Sequence, residues 1–537
     1  MSRGDHQILK SILLLLAASG LAFGVTLTLR ELFPSLGVKV FNPLSDLFPT
    51  PGGEVAQRVD TTPEDPLLAE AMRRDSLERE EAELVTDTLQ VDSVMEPTSA
   101  GLLPAGLIDY SGGSALTRLR EILTEAGDQP VNVAFLGDSF IEGDILVEHF
   151  REALQARYGG GGVGYVPLTS VTARFRQTIK HSFSGAWEDD NALKHPHGSH
   201  FLITGSYQQA VGEAVVSYEN RQPVDQATLL YTSEDSLRIS STVNGDAPTE
   251  ILLPSTGGSL HRVKVGRQVA TLRLDFPKAE GSRLYGICMD GDKGVRVDNM
   301  SLRGSSGLQL GAVSPSLSED LHRIRPYHLI VLSYGLNVVS PKDTRYDYGY
   351  YFRGMDRALT GLHEIYPEAI FLIISISDRG QRIDGEVYTL PGVPRMVEIQ
   401  ERLAKKYHAL FFNTYGTIRS MGGIRSFVSK GWAAKDYTHL SSAGGREISK
   451  RLVQDLIESP IDQVIRQVAE SPIEESLPPT KGKGAERVKA KSDTLKQQSS
   501  SPTTLSQEST AQKDSIYSLC GLTTLSAFCY HSWRSYR

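Results

Sequence analysis

Apolar and polar positions divide the chain into stretches of different rhythm. Val131–Leu136 is a short apolar run, followed at once by Gly137-Asp138-Ser139. Ile145–Tyr158 then places Phe150, Leu154 and Tyr158 at every fourth position, one stripe of a helix, and Gly159–Gly162 ends it. The same rhythm returns further on. His328–Ser333, Ala369–Ser377 and Leu410–Asn413 read as buried strands. Tyr351–Ile365, Met396–Tyr407 and Ala443–Ile457 read as helices, and Leu116–Leu123 adds one before the first strand. Strands alternating with helices predict an α/β fold with a parallel sheet. Between these parts the rhythm is different. From about Val171 to Val297 short segments alternate apolar and polar residues, among them Ala214–Tyr218, Ala227–Tyr231, Arg262–Val265, Ala270–Phe276 and Arg283–Met289. Turn residues such as Asn244-Gly245-Asp246 separate them. This pattern predicts an inserted β-sandwich without helices.

The ends differ from both. Ser11–Leu29 carries no charge, follows Arg3 and Lys10, and as a helix rises about 28 Å, close to the thickness of a bilayer core. We read it as an uncleaved membrane anchor, with a cleaved signal peptide as the alternative, and the basic residues before it place the bulk of the chain outside the cytoplasm. The expected organisation is an anchor or signal segment over 1–41, a polar linker over 42–104, the first part of the α/β domain over 105–168, the inserted β domain over 169–300, the second part over 301–460, and a polar, disordered tail over 461–537.

Composition adds mainly exclusions. A net charge of -8 weighs against nucleic acid as a partner. Cys288, Cys520 and Cys529 have no zinc-ligand spacing. Cys288 reads as a buried strand residue, and a bond between the other two is left open. His195, His197 and His200 read as a polar loop, and Asp290-Gly291-Asp292 as a turn. Gly159–Gly164 lacks the Gly-Lys-Ser/Thr ending of a phosphate loop. Lys481–Lys491 reads as solvated tail.

Four short segments carry chemistry when taken together. Ser139 sits where a strand gives way to a helix, at the carboxyl edge at which open α/β sheets place their sites. A serine hydroxyl needs a base to take its proton, and histidine is the usual one. Asp436-Tyr437-Thr438-His439 supplies a histidine with a carboxylate on the same loop to orient it. Ser333-Tyr334-Gly335-Leu336-Asn337 ends another apolar run with an amide able to donate to an oxyanion. Gly304-Ser305-Ser306-Gly307 is a tight turn whose backbone N–H groups can do the same.

In order and context these segments resemble the blocks of the SGNH (GDSL-type) hydrolase superfamily, over about Gln129–Gly162 and Arg303–Ile457. The resemblance implies a three-layer, flavodoxin-like α/β fold. It implies Ser139 as nucleophile, His439 as base and Asp436 as its orienting acid. It gives the oxyanion hole to the N–H groups of Ser139 and Gly307, with Gly304 as the alternative glycine, and to the Asn337 side chain. No cofactor and no metal are implied. One departure stands out: Val338 follows Asn337 where the family often has Asp. The insert is similar to the carbohydrate-binding-like module of some peptidoglycan O-acetylesterases. The expectation is therefore a serine esterase at the periplasmic or cell surface that removes O-acetyl groups from a glycan, peptidoglycan first. Its partners would be the O-acylated glycan and the membrane. A lipid esterase, an O-acetyltransferase and a non-catalytic glycan-binding envelope protein are the alternatives.

Overall fold

The computed structural model describes residues 65–74, 103–173, 176–343 and 345–465. The apolar Ser11–Leu29 segment, Cys520, Cys529 and Lys481–Lys491 lie outside them. Among the described residues no helix is long and apolar enough to cross a membrane.

The first described element is a helix over 66–74 (α1). Next comes β1 (Gly106–Asp109), followed by α2 (Ser114–Thr124). The parallel sheet then begins with β2 (Pro130–Gly137), followed by α3 (Val147–Tyr158). A long antiparallel excursion comes next: β3 (Gly164–Val166), β4 (Ile179–Asn191), β5 (Ser206–Ser233), β6 (Leu237–Val243), β7 (Thr249–Leu253), β8 (His261–Phe276) and β9 (Ser282–Asp290). The chain returns to the first sheet with β10 (Gly294–Ser301), and α4 (Pro315–Ile324), β11 (Leu329–Ser333), α5 (Gly349–Ile365) and β12 (Ile370–Ile374) follow. A hairpin of β13 (Gly380–Ile383) and β14 (Glu386–Thr389) precedes α6 (Gly392–Lys406) and β15 (Leu410–Asn413). Four helices complete the described fold: α7 (Thr414–Ser420), α8 (Gly423–Ser429), α9 (Ser442–Ile457) and the short α10 (Ile461–Val464), which packs Val464 into the core and so moves the start of the expected tail beyond 465.

The main sheet runs β1-β15-β12-β11-β2-β10, with β1 antiparallel at one edge and the other strands parallel. Taken in chain order, the five parallel strands lie as second, first, third, fourth and fifth, the flavodoxin-like order. Helices cover both faces: α2, α3 and α9 pack together, and so do α4, α5 and α6. Double coverage explains the continuous apolar runs: every residue of β11, β12 and β15 is buried. It also fixes the switch point. The carboxyl ends of β2 and β11 are where the strand order reverses.

Short polar breaks in the insert do not end its strands. Ala214–Tyr218 and Ala227–Tyr231 are two parts of the single strand β5, which passes through Arg221-Gln222-Pro223 with a shift of register against β8. Arg262–Val265 and Ala270–Phe276 likewise belong to β8, which bends at Gln268, a residue with φ of 48°. The first part of β5 pairs with β4 and the second with β9, so continuous strands run through both halves of one folded-over sheet. Both halves share a core that includes Val216, Leu229, Leu274 and Ile287. No helix interrupts the described residues between β4 and β10. The edges of this region differ from the expected 169–300. β3 already belongs to the second sheet, whereas β10 pairs in parallel with β2 in the first. Cys288 is buried on β9, as its apolar surroundings predicted.

A buried cluster ties the two sheets. Arg325, at the end of α4, donates to both oxygens of Asp290 on β9 at 2.7 and 2.9 Å, and to Asp298 on β10 at 2.5 and 2.7 Å. The Tyr327 hydroxyl and the Tyr165 N–H satisfy Asp298 further, each at 2.8 Å. Asp290 is therefore an ion-pair partner within this cluster. Removing one member of such a buried network leaves an uncompensated charge, typically at a cost of about 3–5 kcal/mol.

Candidate active site

β2 delivers Ser139 to the switch point. Gly137 is the last residue of the strand, and a Cβ there would lie 2.9 Å from the Ser333 carbonyl of β11, so only glycine lets the two strand ends approach. The turn after Ser139 is held from below. Asn299 on β10 donates to the Ile141 carbonyl and to Asp144, both at 2.9 Å. Asp144 adopts a φ of 72°, unusual for a residue with a side chain, and is fully buried. Burial opposes its ionisation. Arg151 and Arg176 outweigh that and hold its carboxyl well below the usual carboxylate range.

His439 reaches Ser139 from the other end of the fold. Ser441 caps α9, its hydroxyl accepting from Gly444 N–H at 3.2 Å. Gly445 lies directly against the Ile145 carbonyl, where a Cβ would come within 2.1 Å. The loop before the helix is thereby docked onto the nucleophile turn. Ser139 Oγ is 3.2 Å from His439 Nε2, and His439 Nδ1 is 2.8 Å from Asp436 Oδ2. The other Asp436 oxygen accepts from the backbone N–H groups of Thr438 and His439, at 2.9 and 3.1 Å. Burial raises the Asp436 carboxyl, but these hydrogen bonds outweigh it and hold it at about 2. Tyr437, between the pair, has a φ of 55°, and its carbonyl accepts from Gly380 N–H of β13 at 2.8 Å. The three expected residues are thus in one hydrogen-bonded chain, with the imidazole held so that Nε2 faces the serine.

On the opposite side, the Asn337 amide nitrogen donates to Asp138 Oδ2 at 3.0 Å and to the Ser305 carbonyl at 2.9 Å. Both amide protons are engaged, so donating to a third acceptor requires exchanging one of these bonds. Asp138 is fully buried, and burial pushes its carboxyl up to about 7 against the opposing Phe140 N–H and His439. Arg379 holds the Asn337 loop from behind, donating to the Leu336 and Val339 carbonyls at 3.0 and 2.6 Å. Val338 is buried and completes the core, so the departure from the family pattern leaves Asn337 in place.

The two candidate glycines differ. Gly307 packs on Tyr334 and Met355, and its N–H is donated to Ser305 Oγ at 2.9 Å. The expected donor of this turn is thus already committed to its own loop. Gly304 N–H and Ser139 N–H have no acceptor among the described residues. Spacing alone does not separate the two glycines, because the side-chain bond from Ser305 decides it.

The other candidates fall away from the site. His195 pairs with Asp190 at 2.6 Å, and His197 lies 3.7 Å from Glu70. No group of three potential metal ligands occurs among the described residues. Asp144, Asn299 and Arg379 were not singled out in the sequence. Each is a single polar residue with no periodic signal, and only the fold brings it beneath the site.

No protein-family model matches the chain, and no curated protein matches it either. Solved structures do. A peptidoglycan O-acetylesterase matches with a TM-score of 0.54 and 19% identity, over 65% of this chain and 97% of that one. The chain shares the fold of that structure. A family two carbohydrate esterase from Cellvibrio japonicus matches with a TM-score of 0.22 and 12% identity, over 51% of this chain and 98% of that one. A family two carbohydrate esterase with a carbohydrate-binding domain, from Corynascus thermopiles, matches with a TM-score of 0.23 and 12% identity, over 46% of this chain and 93% of that one.

Proposed function

We propose that this chain is a serine ester hydrolase that removes O-acetyl groups from a glycan, with peptidoglycan as the substrate. The observation that carries the reaction is the chain of contacts from Ser139 through His439 to Asp436 at the switch point of the sheet. The shared fold with a peptidoglycan O-acetylesterase supports the substrate.

The steps follow from the geometry. Ser139 Oγ attacks the ester carbonyl while His439 Nε2 takes its proton. Asp436, ionised at neutral pH, fixes the ring and stabilises its positive charge. The N–H groups of Ser139 and Gly304 donate to the carbonyl oxygen as it becomes negative. Asn337 joins them by exchanging one of its present bonds. One such donor is typically worth about 3–4 kcal/mol. Collapse of the intermediate breaks the bond to the sugar oxygen, which takes the proton from His439. Water, deprotonated by His439, then attacks the acetyl-serine; the bond from the acetyl carbon to Ser139 Oγ breaks, Oγ takes the proton back from His439, and acetate leaves. The uncharged Ser11–Leu29 segment, with Arg3 and Lys10 before it, supports a membrane-tethered enzyme working outside the cytoplasm, where such glycans lie.

The test is acetate release from O-acetylated peptidoglycan by the full-length chain, with Ser139→Ala as control. Release by the natural chain and none by the variant is expected. No release by the natural chain contradicts the substrate.

A further inference from the structure

The Gly304–Gly307 loop is almost fully satisfied by hydrogen bonds, and one of its partners comes from far outside the hydrolase motifs. Ser306 donates through both its N–H and its hydroxyl to Asp65 Oδ2, at 2.8 and 2.5 Å, across 241 positions of sequence. Asp65 lies in the segment that reads from sequence as a polar linker, yet it is 1% exposed. Its other oxygen accepts from the N–H groups of Leu67 and Leu68, at 3.0 and 3.3 Å, and so caps α1. Leu68 is buried in the main core and holds the helix there. One buried carboxylate thus joins the start of α1 to the loop beside Ser139.

The atoms that Asp65 holds matter because a peptide unit is rigid. Ser305 C=O and Ser306 N–H belong to one planar amide. Asn337 donates to the carbonyl end of that plane, and Asp65 accepts from its N–H end. The Tyr351 hydroxyl donates to the next carbonyl, that of Ser306, at 3.1 Å. Rotation of the 305–306 plane would move the acceptor that orients the Asn337 amide, and would tilt Gly304 one residue earlier. We propose that Asp65 is a positioning residue of the oxyanion side: through Ser306 it fixes the peptide plane that orients Asn337 and Gly304, which makes the segment before the globular fold part of the active site. This rests on the ester-hydrolase reading but not on any particular glycan.

The full-length chain is assayed on 4-nitrophenyl acetate, which needs no glycan recognition. Misplacing catalytic groups by about 1 Å costs about a hundredfold. Asp65→Ala is accordingly expected to lower kcat about 10- to 100-fold, with KM within about twofold and an unchanged pH midpoint, since His439 and Asp436 are untouched. Asp65→Asn keeps the size but has one accepting oxygen in place of two, and gives a smaller loss of the same kind. Glu70→Gln, on the same helix, leaves kcat unchanged. The deciding readout is Asp65→Ala combined with Asn337→Ala. Acting through one peptide plane, the two losses are not additive, and the double variant stays within about threefold of Asn337→Ala. Fully additive losses, or an Asp65→Ala kcat within about twofold of the natural chain, overturn the proposal while the hydrolase reading stands. If the natural chain does not hydrolyse the ester, the hydrolase reading falls and this inference falls with it.

Discussion

The two sides of Ser139 are built in opposite ways. The acid–base side is local and open. Asp436 and His439 share one loop, and their side chains are 48% and 40% exposed. The oxyanion side is distributed, and the groups that support it are buried. Asp138, Ser305, Ser306 and Asp65 are all buried and come from three distant stretches of the chain, and they hold the exposed Asn337 of a fourth. In the proposed reaction a proton is exchanged and the ester admitted on the open side, so exposure suits that chemistry. On the other side donors must stay fixed while charge develops, and the buried network behind them keeps them in place. Stability and catalysis are therefore separable on the first side and joined on the second.

Substitutions on each side sharpen this contrast. His439→Ala is expected to give the largest effect, a fall in kcat of about 10⁶-fold, because His439 is the one side chain hydrogen-bonded to Ser139 Oγ among the described residues. The thermal midpoint should hardly move, since the side chain is half exposed. Asn337→Ala is expected to cost less in rate, about 10²- to 10³-fold. It should also destabilise by about 1–3 kcal/mol for each buried partner left unsatisfied, here Asp138 and the Ser305 carbonyl. Kinetics and urea unfolding on both variants check this. Equal stability losses in the two would break the comparison.

A smaller effect separates the two carboxyls by pH. Burial raises Asp138 to about 7, so between about pH 4 and 7 the folded state keeps a proton that the unfolded chain releases. Stability then falls as pH rises through that window, by at most about 1.4 kcal/mol per pH unit. Asp436, held at about 2, acts in the opposite direction: its contribution is present above about pH 4 and lost as pH falls toward 2. Asp138→Asn should remove the decline between about pH 4 and 7 and leave the acid-side loss in place. Urea unfolding across that range reads both. A decline that persists in the variant would assign it to another group.

The same contrast governs what the sequence revealed. Asp436 and His439 were legible because the pair needs only three residues of spacing on one loop. Ser139 and Asn337 were legible because each ends an apolar run that a doubly covered parallel sheet requires. The choice between Gly304 and Gly307 was not, since it turns on where the Ser305 hydroxyl points. Asp65 was hidden inside a stretch whose composition is that of a tether, and its partner is 241 positions away. In the insert, Arg221-Gln222-Pro223 and Gly266-Arg267-Gln268 look like strand ends. A folded-over sheet instead carries its strands through them with shifts of register. The expected insert boundary at 300 takes in nearly all of β10. Its place is set by parallel pairing to β2, which no local pattern records.

The central claim is that Ser139 is an activated nucleophile. Its most direct test is treatment of the full-length chain with a fluorophosphonate probe, with the site of attachment read by mass spectrometry. The account predicts a single adduct on Ser139, absent in Ser139→Ala and strongly slowed in His439→Ala. No adduct, or an adduct on another residue with Ser139 unmodified, would contradict it.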